Sequence, residues 1–238
     1  MWPSEKKHFK KKNFKERISV VIPTKNEETT ICKVIQKAAP FADEILVVDG
    51  HSTDKTKEAA SKMGATVILD NGRGKGDGLR QGIKAATGDI LVFIDADGSH
   101  EAEDIPKLIT PITEGKADMV IASRLRGGSD EFHGTFDNII RMFGSALVTL
   151  AIRKKWNAEI TDCENGYRAI RRDIALSLGL KRDDFVIEQE MVVKCLKMGY
   201  KLCEVPSHEY ERQGGTSKLK TRQGWKFLWH LIRESLLV

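Results

Sequence analysis

Residues 90–97 read ILVFIDAD, five apolar residues followed by two aspartates that one alanine separates. An apolar run of this length is typical of a strand that is buried on both faces, as the strands of parallel sheets are. Comparable runs recur along the chain, and amphipathic helical patterns separate them. Strands and helices that alternate over short connections predict right-handed βαβ units. We therefore expect an α/β fold, with a mostly parallel sheet covered by helices on both faces.

The alternation extends over most of the chain. Strands are predicted at 18–22, 44–48, 65–69, 90–94, 118–122, within 162–172 and at 201–205. Helices are predicted at 27–39, 53–63, 79–86, 101–113, 138–152 and 185–198. The rhythm changes after residue 124, where a loop with two glycines leads into a long helix. No linker rich in Pro, Gly or Ser divides the chain, which favours one domain over residues 18–220.

The composition is that of a globular protein. Of 238 residues, 40% are hydrophobic and 31% are charged, which excludes collagen-like, coiled-coil and wholly disordered chains. No stretch approaches the roughly 20 apolar residues of a membrane-spanning helix. The four cysteines lack the spacing of a zinc site, and reduced cysteines fit a cytoplasmic location.

The two ends of the chain differ from the rest. Residues 1–17 carry seven basic and two acidic side chains, which accounts for the whole net charge of +5. This tail is predicted to be a disordered arm, either solvated or held by an anionic surface, and the neutral remainder argues against a nucleic-acid partner. Residues 221–238 place Trp225, Trp229 and Ile232 on one face of an amphipathic helix. That face packs either on the domain or against a membrane or a partner.

Polar residues follow the predicted strands where ligands bind in open parallel sheets, beyond the carboxyl ends. Such residues occupy 23–27, 49–54, 95–100 and 123–124. Asp95 and Asp97 repel each other unless a cation lies between them. Their hard oxygens suit Mg²⁺ or Mn²⁺ shared with substrate phosphates. The alternative, a helix cap formed by Asp97 or Ser99, explains one of these residues but not the pair of aspartates.

A glycine-rich segment precedes the third predicted helix. In residues 72–78, GRGKGDG, glycine stands at every second position. This spacing fits either a flexible turn or a backbone that a diphosphate can approach closely. The segment is not a Walker motif, because Lys75 is not followed by Ser or Thr, and it is not a dinucleotide-binding fingerprint.

Four motifs occur in the order found in family 2 glycosyltransferases, which are inverting enzymes with the GT-A fold, and the chain resembles that family. The motifs are IPTKNE at 22–27, VDGHSTD at 48–54, KGDG at 75–78 and DAD at 95–97. The second half resembles the dolichyl-phosphate mannose or glucose synthase branch. The residues that carry this second resemblance are Ser123-Arg124, Arg141 with Ser145, Asp162 followed by GYRA at 166–169, EQE at 188–190, EVP at 204–206 and GTSK at 215–218.

The resemblance implies where each substrate binds. It makes residues 18–125 the nucleotide-sugar-binding half and 126–220 the acceptor half. The metal would be held by Asp95 and Asp97. The nucleotide sugar would be bound by Pro23, Thr24, Asn26, Glu27, Asp49, Ser52, Lys75, Asp95, Ala96 and Arg124. The acceptor phosphate would be bound by Arg141, Ser145, Arg212 and Lys218.

Two positions depart from the pattern of the family. Gly50 stands where many members have a second Asp, which leaves the choice between UDP and GDP open. Ser99 stands where the synthase branch often has Gln, so that metal coordination would rely more on water.

The implied reaction is inverting transfer of a hexose from a sugar nucleotide of the GDP-mannose or UDP-glucose type. The implied acceptor is a polyprenyl or dolichyl phosphate, reached at the cytoplasmic membrane face by peripheral contact or through a small membrane subunit. Such a phosphate is ionised at neutral pH and needs no strong base. The residues expected to act in catalysis are Asp97, Asp162, Glu188 and Arg141.

The alternative acceptor is a soluble hydroxyl compound. A hydroxyl must lose its proton to a carboxylate, and Asp162, Glu188 or Glu190 is available for that role. Residues two apart on one helix point in different directions, so only one of Glu188 and Glu190 is expected to face the site.

Overall fold

The computed structural model describes residues 14–130, 136–214, 226–227, 229–230 and 232–233, and of 136–143 it describes the backbone alone. The predictions for the tail up to residue 13, for Lys218, for the Arg141 side chain and for most of 221–238 therefore lie outside the described residues. The predicted C-terminal helix is not confirmed. Within the described part of the chain, no helix has the length and apolar character needed to cross a membrane.

The core of the fold is a seven-stranded sheet in the order β3-β2-β1-β4-β6-β5-β7. Strand β6 is antiparallel to both of its neighbours, and the other paired strands are parallel. The mostly parallel sheet predicted from the sequence is thus confirmed. The strands are β1 (Ile18–Thr24), β2 (Glu44–Asp49), β3 (Thr66–Leu69), β4 (Ile90–Phe93), β5 (Met119–Ser123), β6 (Arg168–Arg171) and β7 (Leu202–Pro206).

Each helix predicted between residues 27 and 198 has a counterpart in the structure, with boundaries that shift by several residues. Two short helices were not predicted, α5 and α7, because four and six residues are too few to show a helical period. The helices of the described residues are α1 (Ile31–Ala38), α2 (Thr56–Lys62), α3 (Lys75–Ala85), α4 (Ile105–Thr113), α5 (Arg124–Gly127), α6 (Phe136–Trp156), α7 (Arg172–Ser177) and α8 (Ile187–Lys197).

Both faces of the sheet are covered, as the uniformly apolar strands predicted. Side chains of β1 alternate between two buried clusters: Val21 belongs to one, and Val20 and Ile22 belong to the other. The first cluster joins the sheet to α3, α6, α7 and α8, and the second joins it to α1, α2 and α4.

The position of β6 decides which loops meet at the edge of the sheet. Because β6 runs against its neighbours, Arg168 at its start pairs with Phe93 at the end of β4 and with Ile121 near the end of β5. The loop 162–167, which leads into β6, therefore lies beside the residues that follow β4 and β5. The second half of the chain contributes a strand inside the sheet.

Candidate active site

A cavity of about 400 Å³ opens at the carboxyl edge of the parallel strands, within the usual size range of small-molecule sites. Loops after β1, β2, β4 and β5, the start of α3 and the loop before β6 surround it. Ten of the residues predicted for the site line this cavity. They are Pro23, Thr24, Glu27, Lys75, Asp95, Ala96, Asp97, Arg124, Glu188 and Arg212.

Three residues predicted to bind the nucleotide sugar lie behind the cavity wall, where they fix two loops. Both carboxylate oxygens of Asp49 accept the backbone N–H of Ser52, at 3.0 and 2.9 Å. The Ser52 hydroxyl accepts the N–H of Asn26 at 2.9 Å, and the Asn26 side-chain oxygen accepts the N–H of Thr53 at 2.8 Å. Since these polar groups form hydrogen bonds within and between the two loops, they hold in place the loops that form this wall of the pocket.

The glycine-rich segment serves two purposes. Gly72, Gly74 and Gly78 line the cavity. Gly76 instead allows the chain's own loop to approach: its N–H donates to the Asp183 carbonyl at 2.9 Å, and a Cβ at position 76 would lie 2.9 Å from the Asp184 oxygen. The missing side chain at residue 76 is therefore required by packing between α3 and the loop before α8.

Lys75 links two carboxylates that line the cavity. Its Nζ lies 2.8 Å from Asp95 Oδ1 and 2.9 Å from Glu188 Oε1. Burial alone would lower the pKa of Lys75, but the two carboxylates raise it above its usual value. Burial likewise opposes ionisation of Asp95, yet Lys75 holds the pKa of that carboxyl below its usual range. Lys75 and Asp95 are thus both charged at neutral pH.

The backbone before β6 packs directly against Lys75 and Asp95. A Cβ added to Gly166 would lie 2.9 Å from both Lys75 Nζ and Asp95 Oδ2, closer than real Cβ atoms approach. Behind the pair, the second carboxylate oxygen of Glu188 is buried and accepts no hydrogen bond from the described residues. This oxygen therefore has capacity for a further donor or cation.

Asp97 divides its two oxygens between a turn and the cavity. Oδ1 accepts the N–H and the hydroxyl of Ser99, at 3.0 and 2.7 Å. Oδ2 lies 2.8 Å from Nη2 of Arg212, whose Nη1 is 3.5 Å from Glu27 Oε1. A turn therefore accounts for Oδ1 of Asp97, whereas Oδ2 pairs with the guanidinium of Arg212 in the cavity.

Asp95 and Asp97 together fit a divalent ion that is shared with a substrate. Both line the same cavity, and each binds a cationic side chain there. Among the residues that the structure describes, no group of three or more His, Cys, Asp or Glu side chains forms a complete metal cage. Two protein carboxylates, with phosphates and water as the remaining ligands, are a common arrangement for Mg²⁺.

The geometry argues against Asp162 as a proton acceptor. Asp162 is buried and binds Arg124 through both oxygens, with Nε–Oδ2 at 2.6 Å and Nη2–Oδ1 at 2.9 Å. Burial would raise the pKa of Asp162, but Arg124 holds it below its usual range. A carboxylate this strongly paired is a poor base, and its effect is to position Arg124 at the cavity.

The two glutamates of α8 point in different directions. Glu188 lines the cavity, whereas Glu190 accepts the backbone N–H groups of Lys181 and Arg182 at 2.8 to 3.0 Å and pairs with Lys194 at 2.9 Å. Glu190 therefore fixes the loop before α8.

Glu164, which was not predicted, also lines the cavity. Its carboxylate is hydrogen-bonded with Ser145 of α6 and lies in the field of Arg124. Burial, opposed by Arg124 and Ser145, raises the pKa of the Glu164 carboxyl to about 7. No signal in the sequence could have identified it, since an acidic residue in a polar turn is ordinarily solvated.

Comparison with known proteins agrees with the motifs. The family model described as glycosyl transferase family 2 matches residues 19–179. The glycosyltransferase AglJ of Haloferax volcanii is 35% identical over 204 residues, which cover 84% of this chain and 65% of AglJ. A dolichol-phosphate mannosyltransferase of Pyrococcus furiosus is 31% identical over 91% of this chain and 63% of its own. This chain thus spans somewhat less than two thirds of these curated relatives.

A solved structure has the same fold. Glucosyl-3-phosphoglycerate synthase of Mycobacterium tuberculosis, in complex with Mn²⁺, UDP and glucosyl-3-phosphoglycerate, superposes with a TM-score of 0.71. The match covers 91% of this chain and 80% of the synthase, at 24% sequence identity. Because the family model matches more than half of its residues, this chain belongs to glycosyl transferase family 2, and its sheet and this superposition show the GT-A fold.

Proposed function

We propose that this protein transfers a hexose, with inversion, from a nucleoside diphosphate sugar to a polyprenyl phosphate, with Mg²⁺ or Mn²⁺ as cofactor. The observation that carries the proposal is the pair Asp95 and Asp97, which opens on the same cavity as Lys75, Arg124 and Arg212. Carboxylates for a divalent ion beside cations for phosphates are what a sugar diphosphate requires.

The donor half of the proposal rests on how the charged groups are paired. Asp95 and Asp97 would hold the ion, which when bound supplies Lewis-acid stabilisation of the departing diphosphate. In the structure Lys75 and Arg212 occupy those two carboxylates. With a divalent ion bound to those carboxylates, Lys75 would become available to phosphate oxygens of the donor and Arg212, as the resemblance implies, to the acceptor phosphate. The mycobacterial synthase, with Mn²⁺ and UDP bound, supports this assignment.

The acceptor half rests on charge and on the relatives. Arg124, which the resemblance assigns to the nucleotide sugar, is proposed to serve the acceptor phosphate as well, because it lines the cavity near Glu164 and Ser145 and is held in a fixed orientation by Asp162. Arg141 and Lys218 remain proposed contributors to the same subsite. A phosphate monoester is already ionised at neutral pH, so these cations would need only to bring two anions together. The similarity to a dolichol-phosphate mannosyltransferase favours a lipid phosphate.

An exposed face of α6 supports contact with a membrane. Leu147 and Leu150 are 66% and 57% exposed, and the basic residues 153–155 that follow are exposed as well. Apolar side chains beside basic ones suit the interface of an anionic bilayer. Ser145, on the same helix, adjoins the cavity through Glu164. A peripheral location on the cytoplasmic membrane face, with or without a small membrane subunit, is therefore part of the proposal.

A soluble hydroxyl acceptor is the second candidate. The observation that favours it is Glu164, because a carboxyl with a pKa of about 7 is suited to remove a proton at neutral pH. Glu188 is the other cavity carboxylate that could serve, although it pairs with Lys75.

The test is transfer from radiolabelled donors. Purified protein is incubated with labelled GDP-mannose or UDP-glucose, a polyprenyl phosphate and Mn²⁺, and the organic phase is counted. We expect lipid-linked label that chelation by EDTA abolishes and that Asp97→Asn lowers by about 100-fold or more. Label found only in a water-soluble product would favour the second candidate. Absence of transfer to either class of acceptor, from every donor, would refute the proposal.

A further inference from the structure

Glu164 stands apart from the other carboxylates of the cavity. Asp95 and Glu188 pair with Lys75, and Asp97 pairs with Arg212. Glu164 instead contacts Ser145, on the side of the cavity where Arg124 lies. The resemblance to phosphate-accepting synthases assigns Ser145 to the acceptor, so a carboxyl group lies within the proposed phosphate subsite.

An ionised carboxylate at this position would oppose the binding of a phosphate. The positive charge of Arg124 is already opposed by the bidentate pair with Asp162 and by Glu209, whose Oε2 is 3.7 Å from Nη1. A third carboxylate and an incoming dianion would place much more negative than positive charge around one guanidinium. Like charges at such distances are strongly unfavourable in a partly buried site.

We propose that Glu164 binds the acceptor as a protonated carboxylic acid, which donates a hydrogen bond to a phosphate oxygen while Ser145 orients the carboxyl. This inference rests on the proposed function, since it concerns a phosphate acceptor. A phosphate monoester presents acceptor oxygens to this O–H. An alcohol of the same length has no charged oxygen to receive it, so Glu164 would select phosphate over hydroxyl acceptors.

The charged groups around Glu164 support a neutral form. Burial is the main cause that raises the pKa of Glu164, and Asp162 before β6 and Glu188 of α8 raise it further. Arg124 of α5 and the hydroxyl of Ser145 on α6 act in the opposite direction. With the resulting pKa of about 7, the Glu164 carboxyl is protonated in about half of the molecules at neutral pH before any acceptor enters. A dianionic acceptor raises the protonated fraction further.

The test compares wild type with Glu164→Gln, whose amide keeps the shape and a hydrogen-bond donor but carries no charge at any pH. Steady-state kinetics are measured at pH 6 and pH 8 with a short-chain polyprenyl phosphate as the varied substrate. Titration of the acceptor itself cancels when the two proteins are compared at each pH. We expect the ratio of kcat/KM, variant over wild type, to rise about tenfold from pH 6 to pH 8, because wild type loses its donor proton over that range. The change should appear in the KM of the acceptor and not in that of the donor.

Glu159→Gln is the matched control, since Glu159 is exposed and lies five residues before Glu164 in the chain. Its ratio to wild type should not change with pH. Glu164→Ala is the second variant, which removes the charge together with the donor. It should raise the acceptor KM at pH 6 by several-fold and lose most of that effect at pH 8.

Two results would overturn the inference. Glu164→Gln that binds both substrates but transfers no sugar at either pH would make Glu164 a general base. A ratio that stays constant between pH 6 and pH 8 would show that its titration is irrelevant to the acceptor. Failure of the proposed function is visible separately, because wild type would then glycosylate no polyprenyl phosphate, and the inference would fall with it.

Discussion

At the scale of single residues, the charged side chains at the core of the proposed site are paired with one another. Lys75 is held by Asp95 and Glu188, and Arg212 is held by Asp97. A sugar diphosphate with its cation would find both signs of charge present and would exchange partners with them, without bringing unpaired charge into a buried site. The free energy of breaking these pairs is subtracted from that of the new contacts, and the close packing around the pairs holds the charged groups in the orientation that the donor meets.

Gly166 tests that tightness. Because its Cβ would lie 2.9 Å from Lys75 Nζ and Asp95 Oδ2, Gly166→Ala should displace the pair at a cost of about 1–3 kcal/mol. We expect donor affinity to fall roughly tenfold or more, measured as the Kd of UDP or GDP in the presence of Mn²⁺. Gly144→Ala is the control, since a Cβ there meets no atom within 4 Å. Equal affinities for the two variants would contradict this account of the site.

The raised pKa of Glu164 predicts that the free energy of unfolding depends on pH. A carboxyl whose pKa rises from its usual 4.5 to about 7 on folding binds more protons in the native state between these values. The free energy of unfolding therefore falls as pH rises from 4.5 to 7 and stays lowered above. Glu164→Gln removes this loss, so relative to wild type it should gain up to about 3 kcal/mol between pH 4.5 and pH 8.

Urea denaturation at the two pH values measures the gain. Contributions from the other carboxyls cancel between variant and wild type, and Glu159→Gln serves as the exposed control. A difference between Glu164→Gln and wild type that is the same at both pH values would refute the raised pKa.

Single residues also mark the limit of prediction from the sequence. Asp95 and Asp97 were identified because two aspartates directly after an apolar strand have few structural explanations. Asp49 and Ser52 have a similar position at the end of β2, yet the Asp49 carboxylate accepts the backbone N–H of Ser52 and the Ser52 hydroxyl accepts the N–H of Asn26. Glu164 acquires its character only from burial among residues distant in the chain, which no local pattern records.

At the scale of elements, apolar periodicity was enough to locate the strands and the longer helices, because burial determines both patterns. It could not predict where β6 lies. A four-residue strand preceded by a polar turn carries no information about its partners, and its place between β4 and β5 results from long-range pairing. The loop before β6 reaches the active site for that reason alone.

Arg168 attaches this loop to the rest of the structure. Its side chain is buried and donates to three backbone carbonyls, those of Cys163, Asn165 and Glu188. Arg168→Met would remove the Arg168 donors from all three carbonyls. Since hydrogen bonds to charged groups contribute about 1.5–3 kcal/mol each and are not additive, we expect a loss of roughly 2–4 kcal/mol in the free energy of unfolding.

The comparison for this prediction is Arg171→Met, in the same strand but half-exposed and paired with Asp173. Urea denaturation should show a loss of less than about 1 kcal/mol for that variant, as surface ion pairs contribute little. If both arginines cost the same, Arg168 does not hold the loop as described.

At the scale of the whole molecule, the proposed function requires that the cavity and the exposed face of α6 serve one lipid substrate. Leu147→Ser combined with Leu150→Ser should weaken binding to vesicles of phosphatidylcholine with phosphatidylglycerol by tenfold or more, because each leucine contributes about 1 kcal/mol even when it is partly buried in the interface. Binding should also weaken as salt is raised, since residues 153–155 contribute by charge.

Leu176→Ser, which removes a leucine that is 45% exposed on α7, is the matched control. Co-sedimentation measures binding, and turnover of a short, water-soluble polyprenyl phosphate shows that the double variant remains folded. Unchanged sedimentation of the double variant would mean that α6 does not face the membrane, and the lipid would then have to reach Arg124 from another side.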